Sequence, residues 1–484
     1  MNDIIPKGLL RKFVLSFTLL IFFTVQIFSQ ALKTPNYVLE TGGIAGTGRQ
    51  TPFWLLSNQF GKNSIQPYSG FISAGFYSLP DTGRNFAIGY GLELFDREDG
   101  INKFWVHQAY LKIKYQFLIL RVGSEEDCYG NQDSSLSSGS IMWSRNTRPI
   151  PKIVISTNGY VDVPFTKGYM QFNGLLAHGW FGDDGYVKNT YLHHKFVYVK
   201  VGGKLPVNFS MGLQHYAMWG GLSPDPGIGQ LPSDFNAYTK VFFAKHPGTQ
   251  DPSLPLSEAL NKLGNHLGSW NYAIDLKLEK YIAGLYYQTI FEDYSGYSKW
   301  IMRDGLWGIY VKTRNARKLI HAFTYEYLHT SYQSGPPAII SSQYTRGNDN
   351  FFNNGIYQSG WTYDGFTIGT PLISSPAIIE GDAISITNNR VIAHHFGLEG
   401  GISEVLKYRM LFTTSTNYMN YPPFGQPYPK PLPVQSIFLE LTKPIQKFKG
   451  LEIGAQLALD HGELYGNNGG IMIMLRKSGK IFGK

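Results

Sequence analysis

VNFSMGLQHYAMW, residues 207–219, alternates between two kinds of side chain along its whole length. One row carries Val207, Phe209, Met211, Leu213, His215, Ala217 and Trp219, and the other carries Asn208, Ser210, Gly212, Gln214, Tyr216 and Met218. Neighbouring side chains of a β-strand point to opposite faces, so this period of two predicts a strand. One face is apolar along most of its length, and the other is mixed and largely polar.

The same alternation recurs at 271–279, 405–419 and 451–460. Comparable segments lie near 70–79, 86–96, 103–126, 151–163, 168–181, 191–203, 281–292, 305–333, 394–403, 436–444 and 470–478. Segments of about ten residues match strands that cross a bilayer at a tilt. We therefore predict an all-β transmembrane antiparallel β-barrel of about 16–18 strands, an ordinary size for bacterial barrels.

The composition favours a barrel over a soluble β-sandwich or propeller. Of the 484 residues, 15% are aromatic and 16% are charged, whereas soluble domains are about 25% charged. Soluble strands average only about five or six residues. Aromatic residues gather toward segment ends, as at Tyr216 and Trp219 or at Tyr418 and Tyr421, which suits the aromatic girdles of a membrane barrel.

The N-terminus has the pattern of an export signal. Lys7, Arg11 and Lys12 precede an apolar run at 13–28, which is shorter than the roughly 20 residues of a membrane-spanning helix. We predict a signal peptide over 1–30, with cleavage near 29–31, followed by one barrel domain over 31–484. This organisation indicates the outer membrane of a Gram-negative bacterium.

The predicted connections are unequal in length. A short one joins the segments at 79–85, while long ones lie near 124–150, 221–268, 334–393 and 420–435. Barrels pair short periplasmic turns with long external loops in this way. Within the second long loop, SEALNKLGNHL at 257–267 predicts a short helix with Ser257 as its N-cap. The region 31–69 precedes the first clear strand.

The sequence gives little support for catalysis. It contains no GxSxG, HExxH or paired-cysteine pattern, and Cys128 is its single cysteine. His193 and His194 are adjacent and would point to opposite faces of a strand. His215 lies on an apolar row, where contact with the interface or an aromatic ring is favoured over a catalytic role. We predict a non-enzymatic protein without a cofactor or metal.

Two loop segments combine aromatic rings with polar side chains, SIMWSRNTRPIPK at 140–152 and NDNFFNNGIYQSGWTYDG at 348–365. Sugars bind to aromatic faces and to planar amide or carboxylate groups, and acidic sugars also bind arginine. The candidate polysaccharide-binding residues are Trp143, Arg145, Arg148, Asp349, Asn350, Asn353, Asn354, Trp361 and Tyr363. The alternative is loop architecture, because Asn and Gly favour tight turns and a tryptophan can plug a loop against the barrel wall.

These segments also carry a resemblance to a known family. The matching strings are TPFWLLSNQFG at 51–61, SGSIMWSRNTRPIPKI at 138–153, NKLGNHLGSW at 261–270, NDNFFNNGIYQSGWTYDG at 348–365 and DHGELYGNNGG at 460–470. They resemble the capsule assembly protein Wzi family in the form common in Bacteroidetes. The resemblance implies an outer-membrane barrel of about 18 strands that helps to attach or organise capsular polysaccharide, lectin-like and without turnover.

The expected partners follow from charge and export. A formal net charge of +9 favours anionic ligands, so the partners are an acidic or neutral surface polysaccharide and outer-membrane lipid, while export argues against nucleic acid. Two other functions stay open at this stage. The first is a porin or solute-specific channel, and the second is a lipid-modifying barrel enzyme.

Overall fold

The computed structural model describes residues 34–245, 262–292, 303–315, 318–333, 338–340, 343–346, 349–379, 384–423 and 426–481. The predicted signal peptide and its cleavage region lie outside these residues. The strands are β1 Asn36–Gly46, β2 Tyr68–Ser78, β3 Phe86–Glu98, β4 Asn102–Tyr115, β5 Leu118–Ser124, β6 Lys152–Thr157, β7 Val161–Asp162, β8 Met170–Trp180, β9 Tyr191–Val201, β10 Val207–Trp219, β11 Asn265–Lys277, β12 Tyr281–Gln288, β13 Gly305–Thr313, β14 Ala322–His329, β15 Ala338–Ile340, β16 Gln343–Arg346, β17 Thr362–Tyr363, β18 Phe366–Thr367, β19 Val391–Gly401, β20 Lys407–Asn417, β21 Leu432–Pro444, β22 Leu451–Gly462 and β23 Asn468–Lys480.

The strands form a closed antiparallel barrel, as predicted. Each consecutive barrel strand pairs with the next, and β1 closes the sheet by pairing with β23 from Asn36 opposite Lys480 to Gly46 opposite Gly470. Strands β6 and β7 lie one after the other along β8 and occupy one position in the wall, so the barrel has 18 strands. Closure leaves no exposed strand edge. The hairpins β15–β16 and β17–β18 lie outside this sheet.

The predicted alternation is confirmed on β10. Val207 and Phe209 are 53% and 44% exposed on the outer face, whereas Ser210 and Gln214 are buried on the inner face. The same pattern places exposed Ile, Leu, Val and Phe side chains around the outer wall. An apolar outer band and a polar interior are what a membrane barrel requires, since its outer face contacts lipid.

β1 lies within the region 31–69, where no strand was predicted, and this expectation was wrong. Its sequence, NYVLETGGIAG, contains three glycines and therefore shows little alternation. The glycine at position 42 has a packing reason. A Cβ atom there would lie 2.8 Å from both the Ile473 carbonyl oxygen and the Phe71 ring, so the wall can close at this point because Gly42 has no side chain.

The helical segments are short. They are α1 Phe53–Leu56, α2 Phe235–Phe242 and a 3₁₀ turn at Pro376–Ile378. The helix predicted at 257–267 is corrected in part: 257–261 lies outside the described residues, and residues 265–267 begin β11, where the ladder with β10 fixes them as strand. The helix of this connection is α2, which Asp234 caps by accepting a hydrogen bond from the Ala237 amide at 2.7 Å. Among the described helices, none has both the length and the apolar character needed to cross a membrane.

The long and short connections lie at opposite ends of the barrel, as predicted. Counted around the wall from β1, with β6 and β7 as one position, the long connections all follow odd-numbered positions, for example after β5, β10, β14 and β20. The short turns and both described chain ends lie at the other end of the barrel. The long-connection end is extracellular by the architecture of such barrels. Three of these connections, 47–67, 125–151 and 349–390, turn back and fill the barrel interior; their described buried parts are called the plug below.

Candidate functional site

The two predicted binding segments meet inside the barrel. Thr147 joins them directly, because its Oγ1 donates to the Tyr363 carbonyl oxygen at 3.0 Å, and Asn146 Nδ2 donates just beyond the second segment, to the Thr367 carbonyl oxygen at 3.1 Å. The Ser144 amide donates to the Ile368 carbonyl oxygen at 2.8 Å. The segments therefore form one unit, with an inner face in the plug and an outer face toward the extracellular side.

Trp143 and Trp361 form the aromatic centre of the plug. They are 3% and 0% exposed, and their ring centroids lie 6.3 Å apart. Trp143 Nε1 donates to Asp127 Oδ1 at 3.0 Å, and Trp361 Nε1 donates to the Met142 carbonyl oxygen at 2.8 Å. With both rings enclosed by protein and both N–H groups bonded, neither ring offers a face to a sugar in this conformation.

The inner wall holds this centre through stacking. Trp143 stacks on His194 and on Tyr216, with centroid distances of 5.7 and 5.9 Å. His194 is inward and His193 is outward, as their adjacency in β9 predicted. The aromatic rows of β9 and β10 thus position the loop tryptophan.

Charged groups surround the tryptophan pair. Asp127 accepts from Arg121 Nη2 at 2.6 Å and lies 3.1 Å from Lys152 Nζ. Burial raises the pKa of Asp127, but the Lys152 and Arg121 charges and hydrogen bonds outweigh burial and hold that pKa well below its usual range. Lys152 Nζ also lies 4.1 Å from the centroid of the Trp143 ring, a cation–π contact. Removing one of these partners would leave a buried charge unpaired.

A second anchor lies across the barrel at Glu326 of β14. Its carboxylate accepts from Ser137 Oγ at 2.6 Å, from the Ser138 amide at 2.7 Å and from the Tyr286 hydroxyl. A buried carboxylate with several donors is strongly bound to its surroundings. Glu326 therefore fixes the 125–151 connection to the wall opposite Asp127.

The remaining predicted residues do not form one cluster. Arg145 is half-buried, its pKa is lowered by burial and by the Arg409 charge, and it makes no ion pair with any described residue. The Asn353 Nδ2 and Asn354 Oδ1 atoms bond to loop backbone, at 2.8 Å to the Ile386 carbonyl oxygen and at 2.9 Å from the Ile356 amide. Asn350 Oδ1 accepts from Asn353 Nδ2 at 2.9 Å, and Asp349 lies beside them in the chain.

Arg148 and Tyr363 lie toward the extracellular face. Arg148 Nη1 is 3.4 Å from Asp364 Oδ2, and its guanidinium lies 5.1 Å from the centroid of the Trp105 ring. Tyr363 is half-buried, and burial raises its pKa. The Asp364 amide donates to the Asp184 carboxylate, which links this pair to the groove described next.

An open groove of about 550 Å³ lies beside that carboxylate. Its lining residues are Asp184, Gly185, Tyr186, Lys188, Pro224, Ser359, Thr362, Gly365, Pro376, Ala377 and Ile384. Burial raises the pKa of Asp184, and the Asp364 charge adds to this effect. Asp184, Tyr186 and Lys188 were not predicted as site residues, because GDDGYVK at 182–188 has only the composition of a turn.

One acidic and histidine cluster has the spacing of a metal site. Ligand atoms of Glu93, His107 and Glu126 lie within 4.8 Å of one another. Lys62 Nζ lies 3.0 Å from Glu93 and 2.7 Å from Glu126. The ammonium group already supplies the positive charge that these carboxylates need, so the cluster is explained as an ion-pair network between 47–67 and 125–151.

Comparisons with solved structures place the barrel among outer-membrane proteins. Wzi of Escherichia coli, described as an outer-membrane protein involved in group 1 capsule assembly and a carbohydrate-binding β-barrel, aligns with a TM-score of 0.55 and 13% identity over 90% of this chain and 83% of that chain. OccK5 (OpdH) of Pseudomonas aeruginosa aligns with a TM-score of 0.47 and 10% identity over 93% and 99%. A search of curated protein sequences found no match.

The sequence profile described as capsule assembly protein Wzi matches residues 58–379. This range covers both predicted binding segments and more than half of the chain. The protein is accordingly located in the outer membrane of a Gram-negative bacterium. The chain belongs to the capsule assembly protein Wzi family.

Proposed function

We propose that this protein binds capsular polysaccharide at its extracellular end without catalysis and so helps to retain the capsule on the cell. The observation that carries the proposal is the groove bounded by Asp184, Tyr186 and Lys188. This groove lies at the extracellular mouth of the barrel, whose interior is filled by the plug. Arg148 and Tyr363 extend this surface through the Asp364 contact. The similarity to a carbohydrate-binding barrel also supports polysaccharide binding.

The groove has the chemistry that sugars need. Tyr186 offers a half-buried ring, Asp184 offers carboxylate acceptors, and Lys188 is an exposed cation that suits an acidic sugar. Ser359 and Thr362 line the same groove with hydroxyl groups. Trp143 and Trp361 support the groove from beneath in this proposal. Arg148, Tyr363 and the groove residues contact the ligand in this proposal.

Capsule retention by intact cells tests the function. In a deletion strain we expect polysaccharide to move from the cell-associated fraction to the medium, and re-expression of the wild-type chain should reverse this. Unchanged retention, with the protein confirmed in the outer membrane, would contradict the proposal. Large and solute-selective conductance of the wild-type protein in planar bilayers would instead favour a channel.

A paired substitution tests the groove itself. Tyr186→Ala with Lys188→Gln should weaken binding of the purified protein to the host's capsular polysaccharide by about tenfold, the effect of losing one charge-assisted hydrogen bond. Tyr428→Ala with Lys430→Gln is the matched control, because these residues are 59% and 75% exposed on another external connection. Loss of binding in the control pair alone would move the site to that connection.

A further inference from the structure

A separate cavity lies at the outer wall of the barrel, near its extracellular rim. It has a volume of about 410 Å³. Its lining residues are Lys195, Leu213, His215, Phe242, Phe243, Ala244, Lys262, His266, Leu267, Phe291 and Glu292. Lys195, Leu213 and His215 belong to the outward rows of β9 and β10. The cavity therefore faces the membrane side of the wall.

Helix α2 forms the outer side of this cavity. Tyr238 packs near Trp219 at the extracellular end of β10, at 5.6 Å between ring centroids, while Phe242 lies 5.3 Å from His193, further down the wall. The helix thus descends along the outside of the barrel from the rim. Phe235 at the start of the helix and Phe243 just after its end are 79% and 62% exposed. Exposed phenylalanines on a lysine-bearing helix are typical of a segment at the membrane interface.

The polar lining of the cavity is basic. Lys195 Nζ donates to the Phe242 carbonyl oxygen at the C-terminal end of α2 and lies 3.9 Å from the centroid of the Phe242 ring. Lys262 lines the same space, and Lys240 and Lys245 lie on or just after the helix. Glu292, the one carboxylate among the described lining residues, accepts a hydrogen bond from the Phe352 amide of the plug at 2.5 Å.

Two histidines complete the wall. His266 Nε2 lies 2.8 Å from the Leu263 carbonyl oxygen, which can only accept, so this nitrogen carries the proton. His215 Nε2 then donates to His266 Nδ1 at 2.9 Å. This order leaves His215 Nδ1 as an acceptor without a hydrogen bond to any described residue.

We propose that this cavity binds a phosphorylated, acylated glycolipid of the outer leaflet, with its phosphate between Lys195 and Lys262 and its acyl chains along Leu213 and Phe243. The position on the outer wall near the extracellular end selects a membrane lipid over a soluble anion. The basic lining selects a phosphate headgroup. The exposed phenylalanines and the apolar wall below them provide the surface that acyl chains cover.

Native mass spectrometry of the full-length purified protein, titrated with bisphosphorylated lipid A, tests this proposal. Wild type should retain one lipid. Lys195→Gln with Lys262→Gln should weaken binding by about tenfold, as expected for a lost charge-assisted contact. Leu213→Trp, which fills the cavity and keeps every charge, should do the same. Lys407→Gln with Lys447→Gln, two exposed lysines at the periplasmic end, is the matched control and should bind like wild type.

Three further probes separate the sources of the ligand. Dephosphorylated lipid A should bind about tenfold more weakly than the bisphosphorylated form. Equal binding of the two forms would overturn the phosphate assignment, and equal occupancy by inorganic phosphate would overturn the lipid assignment. Phosphatidylglycerol bound as tightly as lipid A would contradict selection of an outer-leaflet glycolipid. Unchanged lipid A binding by both cavity variants would place the lipid elsewhere.

Discussion

The plug and the extracellular groove share the 349–390 connection, yet their side chains are held in opposite ways. In the plug, Trp143, Trp361 and Glu326 are enclosed, and their polar atoms are bonded to protein. In the groove, Tyr186 is half-buried and Lys188 is exposed, and both line open space. The Lys188 ammonium donates to the Asp183 carbonyl oxygen at 2.6 Å, within its own turn. The comparison shows that aromatic content in a loop does not by itself identify a ligand surface, because a closed barrel also needs aromatic residues to fill its interior.

The largest expected effect comes from Trp361→Ala. Removing a fully buried tryptophan costs about 3–5 kcal/mol, and the loss falls on the plug because Trp361 contacts no strand of the barrel ladder through hydrogen bonds. We expect the barrel to insert but the interior to open, so that planar-bilayer recordings show conductance that the wild type lacks. Heat-modifiability on gels reports whether the barrel itself has folded.

Two further variants, one a control and one a graded substitution, test whether the conductance comes from the loss of the Trp361 side chain. Phe165→Ala removes a fully exposed ring from a periplasmic turn and should leave both readouts unchanged. Trp361→Phe keeps most of the ring and loses the bond to the Met142 carbonyl oxygen, so it should give an intermediate conductance. A silent, correctly folded Trp361→Ala barrel would show that Trp361 does not close the lumen.

A smaller effect on the same region is expected from Glu326→Gln. The amide nitrogen of glutamine would face hydroxyl and amide donors, and an unmatched buried donor costs about 1–3 kcal/mol. We expect the 125–151 connection to become cleavable by external protease at a lower temperature, without lasting conductance. Glu463→Gln, at an exposed carboxylate, is the control. Equal protease resistance in wild type and Glu326→Gln would argue against Glu326 as an anchor.

Acid should also loosen the plug. Burial raises the pKa of Glu126, but the Lys62 charge and the His107 hydrogen bond prevail and lower it to about 2. A carboxyl group whose pKa is depressed on folding stabilises the native state fully above its unfolded value, near 4.5, and loses that contribution as the pH falls toward 2. Thermal unfolding should therefore be flat from pH 8 to 5 and fall below about pH 4, the upper part of that window.

Glu126→Gln removes this contribution at every pH. The variant should be less stable than wild type at pH 7, and its loss of stability between pH 5 and 3 should be smaller than that of wild type. Asp133, whose pKa is also lowered to about 2, by hydrogen bonds from Lys312 and Ser135 that outweigh burial, should still give the variant some acid response. An identical pH profile in both proteins would exclude Glu126 as a source of the acid sensitivity.

The strands could be predicted because each strand residue must suit either lipid or the interior, and this requirement gives a period of two. β1 was not predicted, because glycines such as Gly42 allow close packing in the wall but carry no side chain that would show the alternation. Loop residues carry no such period. The direction in which Trp143 points depends on His194 and Tyr216, which are distant in sequence, and the groove depends on Asp184 meeting Asp364. Composition could therefore indicate the two segments, but only long-range contacts divide them into inner and outer faces.

The smallest predicted effect separates turn chemistry from ligand contact at Asn354. Its Oδ1 accepts from the Ile356 and Tyr357 amides at 2.9 and 3.1 Å, so Asn354→Ala should destabilise the plug by about 1 kcal/mol, the cost of losing a local side-chain cap. Asn354→Asp keeps the acceptor oxygen and should restore stability. Polysaccharide binding should be unchanged in both. If Asn354→Ala instead lost binding while its protease resistance stayed at the wild-type level, Asn354 would belong with Arg148 and Tyr363 on the ligand side of the division, and the boundary between plug and groove would have to be redrawn through this turn.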